Sequence, residues 1–379
     1  MNVSKKVNVF LFLCLTADVF SHVFAQNKLP IINATSNLVD LKDGNNFHKG
    51  SWTITPEAKP DVLISSSKEV VFYTDIDSIK IKVKQDVNWK FDFIVLLNGK
   101  DSAFTQLQYR QSYLSILKTA KNYNNVNKTR IPKFEYQSMD NPNLVKIRQE
   151  LKLDSIAGAG NEVSKIINLL HWVHYLIPHD GIHDNPEVRN ALNMISVCKK
   201  EGRGLNCRGL ATVLNECYLS MGIKSRFVTC LPKDTTDPDC HVINMVFSKE
   251  LNKWIWIDPT MDAYVMNEKG ELLGIEEVRQ RLINGKSLLL NPDANWNRQQ
   301  TQTKQSYLET YMAKNLYRLE CPLVSEYDTE TWNDGKVVEY IKLLSSDDEN
   351  NHNEGSAQKG KSVTVYRTNN PNIFWAKPE

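Results

Sequence analysis

A thiol, an imidazole and a carboxylate stand in order along one stretch of the chain, as Cys207, His241 and Asp258. Brought together, these three types make a nucleophile, a proton carrier and a group that orients the carrier. Cys207 lies in the run GLNCRGLATVLNECYLSMG. Leu210, Leu214, Cys217 and Met221 recur there at i, i+4, i+7 and i+11, which predicts one apolar face of a helix. Asn206 suits the N-cap and Gly222 the residue that ends the helix, so Cys207 falls in the first turn. Unpaired N–H groups and the positive end of the helix dipole lower a thiol from its usual pKa of ~8.5. The same N–H groups can hold an oxyanion. Cys217 lies on the apolar stripe and reads as core.

His241 opens the run CHVINMVFSKELNKWIWIDPT, which reads as two strands and a turn near Ser248 to Lys253. His241, Ile243, Met245 and Phe247 point one way, and Val242, Asn244 and Val246 the other. With Lys249 and Glu250 as the turn, His241 lies directly opposite Asp258. With a four-residue loop the two become diagonal neighbours on one face. Both registers bring imidazole and carboxylate together. A carboxylate on one ring nitrogen leaves the other free to act on the thiol. Each feature also has a plain structural reading: a lone Cys in a helix is usually buried core, and a His–Asp pair can simply link two strands. Their combination points to nucleophilic catalysis, with the Cys207 thiol and the His241 imidazole expected within ~4 Å of each other.

A Cys opening a helix, a His opening the next strand and Asp258-Pro259-Thr260 closing the following one resemble the transglutaminase-like superfamily. The resemblance runs from about Asn161 to Thr260 and includes Trp254-Ile255-Trp256. It implies a papain-like fold with Cys207 as nucleophile, His241 as acid and base, and Asp258 as orienting group. Two positions depart from the common pattern. His241-Val242-Ile243 lacks the aromatic residue many members carry after the His, and Asn206 stands where many have a small or apolar residue. The backbone N–H of Cys207 is the expected oxyanion donor, with Trp172, His174 and Asn206 as candidates for a second.

The elements that must position these groups follow from patterning. Val163, Ile166, Ile167, Leu170 and Val173 form a helical stripe that should end before Pro178. The loop PHDGIHDNPE follows, and its His179, Asp180, His183 and Asp184 read as solvated in preference to a metal site. From Trp52 to about Leu107 the period is two: Ile79, Ile81 and Val83 alternate with Lys80, Lys82 and Lys84. Asn98-Gly99 signals a hairpin with Ser102 to Leu107 as the return strand. A small antiparallel β module is expected near residues 45–110; residues 111–140 are polar and poorly periodic, with YNNVNKTR as a loop. Strand-like runs recur at Val337 to Leu344 and Val363 to Tyr366, separated by the mobile-looking SSDDENNHNEGSAQKGK.

The expected fold is therefore α+β. A papain-like, transglutaminase-like core of helices packed on an antiparallel sheet follows an N-terminal antiparallel β domain. The expected divisions are a signal peptide over 1–25, β module and linker over 26–135, core over 136–300, and C-terminal strands with a mobile loop over 301–379. Lys5 and Lys6, the apolar stretch Val7 to Leu15 and Val23-Phe24-Ala25 have the layout of a cleavable leader, cut after Ala25. That predicts an exported protein, secreted or periplasmic, with no stable membrane insertion after cleavage, and the whole chain resembles an exported bacterial member of the superfamily with an added β module. Asn33-Ala-Thr and Asn127-Lys-Thr are read as chance sequons.

Six cysteines lie beyond residue 25, and none has Cys-x-x-Cys spacing. Cys240 is expected to face away from the site and to pair with Cys230 across the loop LPKDTTDPD. Such a ring would stabilise by roughly 2–3 kcal/mol. The formal charge is +2 over 379 residues, which disfavours a nucleic-acid binder. The 9% aromatics exclude low-complexity disorder for most of the chain. The predicted function is acyl transfer at an amide or peptide bond through a thioester, with hydrolysis preferred over crosslinking. The substrate is a peptide or protein, and no metal or organic cofactor is implied. The alternative is a catalytically silent peptide- or glycan-binding protein on the same fold.

Overall fold

The computed structural model describes residues 28–57, 59–126, 130–350, 352, 355, 357–360 and 362–379. The expected leader and its cleavage point, and the Asn127 sequon, lie outside these residues. The described residues divide into two compact units, the first ending at Arg110 and the second running from Gln111 to Glu379.

The first unit holds eight strands: β1 (Ile31–Ala34), β2 (Leu38–Asp43), β3 (Asn46–Thr53), β4 (Asp61–Ser65), β5 (Glu69–Tyr73), β6 (Ser78–Lys82), β7 (Lys90–Leu97) and β8 (Asp101–Tyr109). They form two four-stranded sheets, ordered β1-β7-β8-β4 and β3-β2-β5-β6. The alternating run lies on β6, with Ile81 buried and Lys80 and Lys82 exposed. Asn98 and Gly99 take positive φ at 52° and 66° in the β7–β8 turn, the backbone that an Asn-Gly pair favours. The module starts earlier than its clearest alternation, at Ile31, and β1 and β4 join their sheet in parallel, to β7 and β8. Phe72, Phe93, Val39, Val70 and Leu107 are fully buried between the sheets and anchor this core.

The second unit is built on a seven-stranded sheet. Its strands are β9 (Ser225–Leu231), β10 (His241–Ser248), β11 (Lys253–Ile257), β12 (Arg318–Pro322), β13 (Val338–Leu343), β14 (Ala357–Lys359) and β15 (Val363–Thr368), in the order β11-β10-β9-β12-β13-β15-β14. The strands after residue 300 thus continue the sheet that carries His241. The two expected C-terminal strands pair with each other, in parallel, and part of the stretch expected to be a loop between them forms β14. Within the poorly periodic stretch 111–140 a short helix, Tyr113–Lys118, forms and buries Leu117 in the core.

Every residue of β10 is buried, although the run contains Asn and Ser. The sheet is covered on both faces, so both sets of alternating side chains are core. On one face Ile243, Met245, Phe247, Trp254 and Trp256 pack with Tyr307 and Met312. On the other, Val246, Ile255 and Ile257 pack against helices α1 (Glu162–Leu176), α2 (Ala191–Glu201) and α3 (Cys207–Ser220). Ile166, Leu170 and Val173 supply the buried stripe of α1, as the sequence predicts, with Leu169 and His174 beside them. At ~25 cal/mol per Å2 of apolar area, each such Leu or Ile contributes about 1.5–3 kcal/mol on burial.

Candidate active site

Cys207 is the first residue of α3, and Asn206 is its cap. The Asn206 side-chain oxygen accepts from the N–H groups of Arg208 (3.1 Å) and Gly209 (3.2 Å), leaving the Cys207 N–H outside the cap. Beyond the helix, Gly222 sits at φ 72°, the left-handed backbone that closes a helix. Arg208 ties this helix to the sheet. It donates to Glu330 (2.6 Å) and Thr229 (2.8 Å), and Glu330 also accepts from Tyr340 (2.5 Å).

The hairpin takes the four-residue loop of the two registers read from the sequence. Ser248 pairs with Lys253 and Asn244 with Ile257, so His241 and Asp258 are diagonal neighbours on one face. His241 Nε2 lies 2.7 Å from Asp258 Oδ2. That oxygen also accepts from the Tyr307 hydroxyl at 2.6 Å, and Tyr307 in turn accepts from Trp256 Nε1 at 3.1 Å. The other carboxylate oxygen accepts from the N–H groups of Thr260 (2.9 Å) and Met261 (3.3 Å). Burial alone would raise the Asp258 pKa, but the His241 charge and these donors hold it below the usual carboxylate value.

With Nε2 committed to Asp258, Nδ1 of His241 is left for the thiol. His179 and His241 both approach the Cys207 sulfur closely enough to lower its pKa. Burial pushes the Cys207 thiol up, but the two imidazoles, the His241 charge and the Val242 N–H outweigh it and bring the pKa down to about 6. Burial opposes the charge on His241, yet Asp258 and Cys207 raise it to about 10. At neutral pH the pair is a thiolate facing an imidazolium. Tyr311 sets its ring edge-on to His241, 5.2 Å between centroids. Cys207 opens onto a cleft of about 440 Å3 that His179, Arg189, Asp239 and Tyr311 also line.

The structure thus brings Cys207, His241 and Asp258 together. Of the second-donor candidates, Asn206 lines the cleft beside Cys207, whereas Trp172 packs against the helical core and His174 uses its two ring nitrogens on Pro259 O and Asn295 Oδ1 (3.0 Å each). Sequence reasoning missed His179, whose only signal was a His in a polar loop. That loop is not wholly solvated. His183 pairs with Asp180 at its exposed side (2.7 Å), while His179 turns inward and its Nδ1 meets Trp296 Nε1 at 3.2 Å. Among the described residues no group of three His, Cys, Asp or Glu side chains is placed to hold a metal.

The expected Cys230–Cys240 disulfide is absent, and both are free thiols. The register explains this. Cys230 pairs opposite His241, not Cys240, and lies in the core. Cys240 precedes the first residue of β10, so strand alternation does not govern it, and it lines the cleft with Cys207 rather than facing away.

Gly204 sets the approach of the His179 segment to the start of α3. A Cβ there would stand 2.2 Å from the Pro178 carbonyl oxygen, a backbone atom that cannot swing aside. Gly204→Ala is expected to force Pro178 and His179 away from Leu205 and to destabilise by about 1–3 kcal/mol, the usual cost of overpacking. Urea unfolding measures it, and an unchanged midpoint would contradict the close approach.

Residues 149–259 match the model of the Transglutaminase-like superfamily, and this stretch is a transglutaminase-like domain. It contains Cys207, His241 and Asp258. No curated protein matches the chain. Among solved structures, a candidate cysteine protease from Cytophaga hutchinsonii is 18% identical over 31% of this chain and 37% of its own, with a TM-score of 0.24. A candidate protease from Parabacteroides distasonis is 13% identical over 50% and 33%, at 0.22. A red sea bream transglutaminase is 11% identical over 62% and 49%, at 0.23. The chain therefore spans a third to a half of the length of these proteins. Among the described residues no helix is long and apolar enough to cross a membrane.

Proposed function

We propose that this chain is an exported cysteine enzyme that transfers the acyl group of a peptide or protein amide through a thioester on Cys207, with water as the usual acceptor. The observation that carries this reading is the hydrogen-bonded line His241–Asp258–Tyr307 set beside a lowered Cys207 thiol that opens onto a cleft at a helix start. Export rests on the sequence of residues 1–25.

Each step follows from that line. The Cys207 thiolate attacks the amide carbon, a C–S bond forms and the carbonyl electron pair moves onto oxygen. The Cys207 N–H faces that oxyanion. His241, already protonated, gives its Nδ1 proton to the departing nitrogen as the C–N bond breaks. An amine or ammonia leaves and a thioester remains. Neutral His241 then takes a proton from water, whose oxygen attacks the thioester. The acid leaves, and the thiolate–imidazolium pair is restored. A lysine amine in place of that water would yield a crosslink. An extracytoplasmic setting is rich in water and unfolded peptides, which favours hydrolysis.

The test is incubation with reduced, alkylated casein, with and without a fluorescent primary amine. New amino termini that Cys207→Ala abolishes are the expected result. No Cys207-dependent change in the casein would overturn the proposal and favour a binding protein. Amine incorporation exceeding cleavage would overturn the preference for water.

A further inference from the structure

We propose that His179, held as its Nε2–H tautomer by Trp296, supplies the second hydrogen bond of the oxyanion hole beside the backbone N–H of Cys207. The proposal rests on the acyl-transfer reading above. An indole N–H has no lone pair to offer, so Trp296 can only donate across the 3.2 Å to His179 Nδ1. Nδ1 therefore carries a lone pair and the ring proton sits on Nε2, the nitrogen left for the Cys207 side of the ring.

His179 is held at three points, one on its ring and two on its backbone. Trp296 sets its plane at 62° to the imidazole, with centroids 6.3 Å apart. Asn297 clamps the backbone of His179, accepting from its N–H at 2.6 Å and donating to its carbonyl at 2.9 Å. His179 also bridges to Leu205, two residues before the nucleophile, with the Asp180 N–H donating to Leu205 O at 2.8 Å. The donor and the helix start that offers the Cys207 N–H are thus fixed to one another, as a preorganised hole requires.

Asn185 donates its amide to Asn206 at 2.7 Å, and Arg208 is forked between Glu330 and Thr229. The two histidines at the sulfur have different roles. His241 has a carboxylate behind it and cycles a proton. His179 has a donor behind it, and in the reaction it neither gives up nor takes a proton. It stands at the sulfur in the resting state, and bonds the carbonyl oxygen once the C–S bond forms and negative charge moves there.

The test compares two reactions at Cys207. Acetylation by p-nitrophenyl acetate passes through an oxyanion. Alkylation by iodoacetamide displaces iodide at a saturated carbon and forms none. In His179→Ala, acetylation is expected to slow by about 10²- to 10³-fold, the usual loss of one such donor. Alkylation should stay within about tenfold, which also reports that the thiolate and the fold persist. His179→Gln, which keeps an N–H donor, should recover most of the acetylation rate. Trp296→Phe, which frees the tautomer, should fall between. Acetylation and alkylation falling together, or acetylation left unchanged, would overturn the proposal. Wild-type protein that is not acetylated at Cys207 at all would instead overturn the acyl-transfer reading, so the two failures are separable.

Discussion

His241→Ala is expected to lower kcat on the order of 10⁴- to 10⁶-fold, the loss seen when the acid–base member of such a triad is removed. Two effects combine. The leaving nitrogen has no proton donor, and the thiolate loses the imidazolium that helps bring its pKa to about 6. Without that charge the thiol rises, held down only by His179 and the Val242 N–H, so that a smaller share is thiolate at pH 7. The wild-type pH profile follows from the same pair. Activity should rise through about 6 as the thiolate forms, and fall through about 10 as His241 loses its proton. Steady-state kinetics across pH on the casein-derived substrate checks both. A profile centred at a single pKa near 8.5 would contradict the ion pair.

Asp258→Asn should cost about 10⁴ in kcat with little change in KM. Asp258 is fully buried and accepts four hydrogen bonds, two at each oxygen. An asparagine can keep its oxygen toward the Thr260 and Met261 N–H groups. Its amide then faces two donors, His241 Nε2–H and the Tyr307 hydroxyl. His241 must surrender the Nε2 proton and take the tautomer with hydrogen on Nδ1, and the charge that favoured the imidazolium is gone. Cys207 alkylation at pH 7 should slow in parallel, since the thiolate loses its partner. A loss in kcat smaller than tenfold would show that Asp258 does not orient the imidazole.

The helix start and the hairpin were legible because each obeys a local rule. The spacing of Leu210, Leu214, Cys217 and Met221 sets the apolar face of α3, and alternation from His241 to Phe247 sets the faces of β10. The register was legible only to two choices, since loop length is not written in the alternation. The sheet takes the longer loop. His179 and Tyr307 were not legible. His179 sits in a loop without periodicity, and its inward turn depends on Trp296 and Asn297, more than a hundred residues away. Tyr307 reaches Asp258 from a π-helical segment, Lys304–Met312, and nothing in that segment's own pattern points to a carboxylate 49 residues earlier. The wrong orientation for Cys240 came from extending a strand rule one residue past the strand. The sheet continues into β12, β13 and β15 by pairing β9 with β12, about ninety residues further along the chain, and no local pattern carries that.

The most direct test of the central claim is the alkylation rate of each cysteine by iodoacetamide from pH 5 to 9, read by peptide mapping. Burial raises the thiols of Cys198, Cys217, Cys230, Cys240 and Cys321, whereas Cys207 alone among the six is lowered. The account predicts that Cys207 labels at least about tenfold faster than any other cysteine at pH 7, with a midpoint near 6 that His241→Ala moves up. Labelling of Cys207 no faster than Cys240, with a midpoint near 8.5 in both proteins, would contradict it.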